Sequence, residues 1–127
     1  MSENAKFVDL LETKKIVFIG PPSSATRSMG CKAESKRIMD QAAVPILPGY
    51  HGENQDPEHL LKESKRIGFP VMLKAALGGG GKGMRIVHNE KEFFDQLEAC
   101  KREAMKGFSD SKMIVEKYVE RPRHIEV

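Results

Sequence analysis

In this 127-residue chain the residues best able to do chemistry crowd around one stretch, Leu77-Gly78-Gly79-Gly80-Gly81-Lys82-Gly83-Met84-Arg85. Glycines, lacking a Cβ, let backbone amides turn toward an anion, and such concave nests bind phosphate. A P-loop requires Gly-Lys-Ser/Thr ahead of a helix; here Gly83 follows Lys82, and that motif fails. Gly78, Gly80 and Gly83 satisfy GxGxxG formally. That fingerprint must open a helix, however, and Met84-Arg85-Ile86-Val87 reads as a strand. What remains is a glycine-rich hairpin flap over a nucleotide's phosphates, against a plain flexible linker; apolar strands tight on both sides favour the flap. Lys74 stands in the strand before the glycines, between Leu73 and Ala75. Alternation puts Met72, Lys74 and Ala76 on one face. There the ammonium is either solvated or a point charge for phosphate oxygens.

Further along, Glu116-Lys117-Tyr118-Val119 ends an apolar segment, where backbone groups left over by a ladder could read a purine edge. Taken alone, a plain strand terminus explains those residues as well. His124, between Arg123 and Ile125, is open between a core histidine and a polar ligand. Lys32 reads by spacing as a surface helix lysine, and Lys82 and Arg85 are open between phosphate and water. No Ser-His-Asp constellation is present, and neither Cys31 nor Cys100 has an evident activating partner.

The elements that must position these groups follow from periodicity and punctuation. Residues 4–13 carry a helix-like apolar face. Ile16-Val17-Phe18-Ile19, closed by Gly20-Pro21-Pro22, reads as a buried strand of an α/β sheet. Residues 23–29 and 33–43 read as two helices broken at Gly30, and 44–50, with Pro45 and Pro48, as a linker. Asp56-Pro57-Glu58 is a helix start, with Leu60, Leu61 and Ile67 on one stripe ending at Gly68. Strands are expected at 71–76, 84–87 and 113–119, with a further one beginning at His124. Asn89 should cap a helix bearing Phe93, Phe94, Leu97, Cys100, Ala104 and Met105 on or near one face.

Composition narrows the function. Hydrophobic residues make up 39% and charged residues 31%, a balance that excludes disorder and collagen. No apolar run approaches the roughly 18 residues of a membrane span, so no membrane partner is expected. The net charge of +3 arises from interleaved signs, and aromatics are 6% with no Trp. A nucleic-acid polymer would want clustered cations and stacking rings. A single anionic ligand fits better. Two cysteines give neither a disulfide framework nor a zinc pairing and suit a reducing compartment. MSENAKFVDL has no secretory apolar core and no Arg-rich transit pattern, so any targeting segment is expected upstream.

Taken together, IGPP, GCKAESK, VPILPGYHGE, RIGFPVMLKAALGGGGKGMRIV and EKYVERPRHIEV resemble the biotin carboxylase family of the ATP-grasp fold, in order and along nearly the whole chain. PGYHGENQ and the Cys31 segment are most similar to the methylcrotonoyl-CoA carboxylase α-subunit branch; the alternatives are propionyl-CoA, acetyl-CoA and pyruvate carboxylases, or a non-catalytic fragment or interaction module. The resemblance implies an α/β (α+β) chain holding part of an ATP-grasp fold. In it, 1–19 is the tail of the N-terminal domain, 20–46 a helical linker, 47–119 the small lid subdomain with its Gly-rich hairpin, and 120–127 the start of the remaining half. It implies that Lys32 and Lys74 bind ATP phosphates and that Gly79, Gly80, Gly81, Lys82 and Gly83 form the flap. Glu116, Lys117, Tyr118 and Val119 then form the adenine-recognising segment, Lys117 and Val119 acting largely through backbone groups, and His124 lines the pocket near the ribose. The implied reaction is ATP-dependent carboxylation of biotin by bicarbonate, through carboxyphosphate. The family's paired glutamates for Mg²⁺ or Mn²⁺, its catalytic residues and its biotinyl domain have no counterpart before Val127, so no turnover is expected from this polypeptide alone. The implied partners are ATP, bicarbonate, a biotinyl domain and a carboxyltransferase β subunit. The implied location is the mitochondrial matrix, or else the cytosol.

Overall fold

Local capping decides where the helices begin. Asp56 accepts the His59 amide at 3.1 Å, and Pro57 follows at the first helical position, where its missing N–H costs nothing. Asn89 likewise caps a short 3-10 turn, Glu90–Glu92, with Glu92 reaching back to the Asn89 amide in a capping box. In the computed structural model, which describes residues 4–30, 32–77 and 81–125, the chain divides into two units, Met1–Ile46 and Leu47–Val127.

The first unit contains α1 (Ala5–Thr13), α2 (Ser23–Gly30) and α3 (Lys32–Gln41). Asn4 caps α1 by accepting the Phe7 amide at 3.2 Å. Arg27 of α2 pairs with Asp9 of α1 at 2.7 Å. Hydrogen bonds from Ser23 and then Arg27 hold the Asp9 carboxyl below its ordinary range. The strand expected at 16–19 does not form: Val17 is 88% and Ile19 96% exposed, and no ladder includes them. An apolar run becomes a strand only against a partner ladder, and the described residues of this unit supply helices alone.

The second unit runs β1 (Gly49–Tyr50), α4 (Pro57–Ile67), β2 (Val71–Ala75), β3 (Met84–Val87), α5 (Phe93–Phe108), β4 (Met113–Lys117). Its four-stranded sheet has the order β1-β4-β2-β3, antiparallel throughout. One face packs on both helices. Val71, Leu73 and Ala75 of β2, with Val87, Met113 and Val115, meet Leu60 and Leu61 of α4 and Phe93, Leu97, Cys100 and Ala104 of α5 in one core. The α5 stripe is narrower than its composition suggests, since Phe94 and Met105 lie off the buried arc and are exposed. His124 and Ile125 lie outside any strand, and Ile125 is 81% exposed, so the strand expected to begin at His124 is not present there. With no ladder partner among the described residues, that alternation has nothing to pair with.

β1 escaped the reading of 44–50 as linker. It holds only two residues and exists because Gly49 opposes Glu116 and Tyr50 opposes Val115. Gly49 has a specific reason to be glycine, since a Cβ there would sit 2.7 Å from the Val115 carbonyl oxygen. Gln55 continues the pairing past β1 with its side chain. Its Oε1 accepts the Met113 amide at 2.8 Å, while its Nε2 donates to the carbonyls of Met113 and Gly52, each at 3.1 Å.

Candidate functional site

Because side chains alternate across a strand, the residues of β2 that do not enter the core point to the other face. There Met72 lies opposite Ile86 and Glu116, and Lys74 opposite Met84 and Ile114. Neither α4 nor α5 packs on that face, because both pack on the Leu73 side. At its centre the Lys74 ammonium meets the Glu116 carboxylate at 2.5 Å. The side chains of Lys74 and Glu116 are 24% and 6% exposed, so the pair is largely withdrawn from water while the lysine keeps access to it. Such a cation, on an apolar floor with a carboxylate as partner, is positioned to exchange that partner for a phosphate oxygen.

Immediately beyond β2 the chain turns through the glycine-rich stretch. Gly79 and Gly80 lie outside the described residues. Gly81 and Gly83 take positive φ, +79° and +66°, which glycine adopts without strain. Gly81 and Lys82 are exposed, whereas Gly83 is buried. The Gly83 carbonyl accepts the Ala75 amide at 2.8 Å and the Cys100 thiol at 3.3 Å. Arg85 departs from this group. It lies opposite Leu73 on the helix-packed face, with its guanidinium 3.6 Å from Glu103 of α5.

At the end of β4 the Lys117 side chain turns away from the Lys74 face and donates to the carbonyls of Gly68 and Phe69 at 2.8 and 3.0 Å. The Lys117 amide donates to Pro48 and the Tyr118 amide to Pro70, which fixes the course of the chain into the exposed Val119. His124 lies on an exposed, non-regular segment. Lys32 opens α3 in the first unit and is half-buried. Within the second unit the structure therefore brings Lys74 and Glu116 together, with Gly81–Gly83 following the end of β2. Sequence reasoning placed Met72 beside Lys74 but missed Met84, Ile86 and Ile114 as their floor. Period-two alternation in three strands was the available signal; the register that joins them was not.

Among the described residues no group of three or more His, Cys, Asp or Glu side chains converges on a metal-sized space. The buried Cys100 thiol is pushed up to about 11, first by burial and then by Glu103, against the opposing pull of Arg85. It is a protonated donor at neutral pH, not a nucleophile.

A family model described as the carbamoyl-phosphate synthase L chain, ATP binding domain, matches residues 31–127. The chain belongs to that ATP-binding-domain family. It is 54% identical over its whole length to mouse methylcrotonoyl-CoA carboxylase subunit alpha, mitochondrial, spanning 18% of that protein. It is 46% identical to the propionyl-CoA carboxylase alpha chain of Ruegeria pomeroyi, spanning 19%. Among solved structures, a Campylobacter jejuni biotin carboxylase in complex with β,γ-ATP superposes with a TM-score of 0.87 at 44% identity, over 96% of this chain and 27% of that one. The biotin carboxylase domain of Hydrogenobacter thermophilus 2-oxoglutarate carboxylase, with MgADP and bicarbonate, gives 0.84 at 44%, over 94% and 26%. The mixed helix and antiparallel-sheet fold is thus that of part of a biotin carboxylase ATP-grasp domain.

Proposed function

We propose that this chain supplies one wall of the ATP site of a biotin carboxylase, the ligase that uses ATP and bicarbonate to carboxylate biotin. The observation that carries this reading is the Lys74–Glu116 pair on the sheet face that α4 and α5 leave uncovered, beside the Gly81–Gly83 turn. In this reading Lys74 holds phosphate oxygens as a point charge, and exposed Gly81 and Lys82 approach them through backbone amides and the Lys82 ammonium. Gly79 and Gly80 belong to the same flap. Lys117 and Val119 meet the adenine edge largely through backbone groups, and Glu116 and Tyr118 shape that end. Lys32 supplies a second phosphate cation and His124 faces the ribose. The apolar floor of Met72, Met84, Ile86 and Ile114 lowers the local dielectric and strengthens each of these contacts.

The domain assignment proposed for the chain is N-terminal-domain tail at 1–19, helical linker at 20–46, ATP-grasp lid at 47–119 and the start of the remaining half at 120–127. The described residues do not fit the divalent metal of the reaction, since no donor set converges and the buried Glu116 carboxylate already faces Lys74. Mg²⁺ or Mn²⁺, which neutralises phosphate charge in such chemistry, is assigned to segments of the relatives that this chain does not span. Bicarbonate, the biotinyl domain and a carboxyltransferase β subunit are the partners of the whole protein. Identity to methylcrotonoyl-CoA carboxylase α subunits, 50% to 54% against 46% and 47% for propionyl-CoA carboxylases, favours leucine catabolism and the mitochondrial matrix.

Calorimetric titration of the chain with MgATP, beside Lys74→Ala, tests the reading. It expects saturable binding that Lys74→Ala weakens about tenfold, the worth of one charge-assisted hydrogen bond. Equal affinity in both proteins would refute the role given to Lys74.

A further inference from the structure

The base of the glycine-rich turn is held by a group that its own sequence does not contain. Gly83 is buried, its φ is +66°, and a Cβ there would lie 3.1 Å from the Ala75 Cβ and 3.6 Å from a Phe108 ring carbon. The backbone is thus packed between β2 and α5, where a side chain would be tight against Ala75 and strained by the positive φ. Its carbonyl receives two donors: the Ala75 amide at 2.8 Å, which closes the β2–β3 hairpin, and the Cys100 thiol at 3.3 Å, which comes from the middle of α5. Cys100 is completely buried, and burial keeps its sulfur protonated at neutral pH, so it is a persistent donor. One helical turn further, Ala104 packs 3.9 Å from the same Cβ position, and Glu103 pairs with Arg85 two residues past Gly83. The C-terminal stem of the turn is therefore fixed to α5 at successive points, and the thiol bonds directly to a backbone atom of the glycine run.

We propose that Cys100 is a positioning residue for nucleotide binding: its thiol fixes the Gly83 carbonyl and so sets the direction in which Gly81 and Lys82 are presented to the phosphates. This rests on the ATP-site reading above. No covalent role for the sulfur is involved. The carbonyl it holds is one peptide from Lys82, so rotation of the 83–84 peptide in its absence would redirect the turn and loosen the Ala75–Gly83 bond that closes the hairpin.

The discriminating substitutions are Cys100→Ser, which keeps a donor of similar size, and Cys100→Val, which removes the donor and adds one methyl group to a fully buried site. Cys100→Ala serves as a second donor-free variant if valine does not fold. Amide hydrogen exchange at Lys82, Gly83 and Ala75 is measured in each, alongside MgATP titration. Loss of the donor should speed exchange of the Ala75 amide, which is bonded to the same carbonyl, and weaken MgATP binding by about fivefold each, the effect of one ordinary hydrogen bond, with serine restoring both. Donor-free variants matching the wild type in exchange would overturn the proposal. Absence of MgATP binding by the wild type would instead overturn the ATP-site reading, while the exchange data would still decide whether the thiol fixes the turn.

Discussion

Lys74 and Glu116 are not opposite each other in the sheet. Lys74 faces Ile114 and Glu116 faces Met72, yet the ammonium reaches diagonally across to the carboxylate at 2.5 Å. The diagonal leaves the lysine as the more exposed partner, and the two are accordingly unequal in what their loss would do.

Replacing Lys74 with Met strips the buried Glu116 carboxylate of its nearest cation, and should destabilise the fold by about 2–3 kcal/mol. Glu116→Gln leaves a lysine that can still reach water and should cost about 1 kcal/mol. Urea unfolding of both variants measures the difference. Equal costs would mean that the carboxylate is not dependent on Lys74.

Gln55 acts as a strand partner made of one side chain. Removing it in Gln55→Ala leaves the amide and carbonyl of the buried Met113 without those bonds, at an expected cost of about 1–3 kcal/mol. A urea midpoint unchanged from the wild type would contradict this.

Stability should also fall in alkali on account of Cys100. The unfolded chain releases the thiol proton near its ordinary value of 9.0, whereas the folded chain keeps it to about 11. Between these the unfolded state binds fewer protons, so stability declines as pH rises, by about 2–3 kcal/mol in all. Cys100→Ser has no thiol to titrate and should show a flatter dependence across the same window when denaturant unfolding is compared at successive pH values.

Gly49→Ala should push β1 off β4, because the new methyl would stand 2.7 Å from a backbone oxygen that cannot swing aside. A loss of about 1–3 kcal/mol in thermal or urea unfolding is expected, the usual cost of overpacking.

What the sequence disclosed of this structure is what lies close along the chain. Asp56-Pro57, Gly68 and Asn89 mark helix ends through contacts three or four residues long, and the alternation in 71–76 separates Lys74 from Leu73 without any knowledge of the rest. What stayed hidden depends on distant partners. Two residues of β1 form a strand only because β4 arrives beside them, and the apolar run at 16–19 has no such neighbour. In the candidate site, Lys74 was legible as a cation on one face, but its pairing with Glu116, 42 residues away, required the β2–β4 register. The Cys100–Gly83 bond spans 17 residues and joins a helix to a turn, for which no local pattern exists.

The central claim is that nucleotide is received on the Lys74 face of the sheet. Amide chemical-shift mapping of the ¹⁵N-labelled chain during MgATP titration tests it most directly. Saturable shifts should concentrate at Met72, Lys74, Gly81, Lys82, Gly83, Lys117 and Val119 and spare the outer surfaces of α4 and α5. Saturable shifts confined to those helices, or none at Lys74 and the glycine turn, would contradict the account.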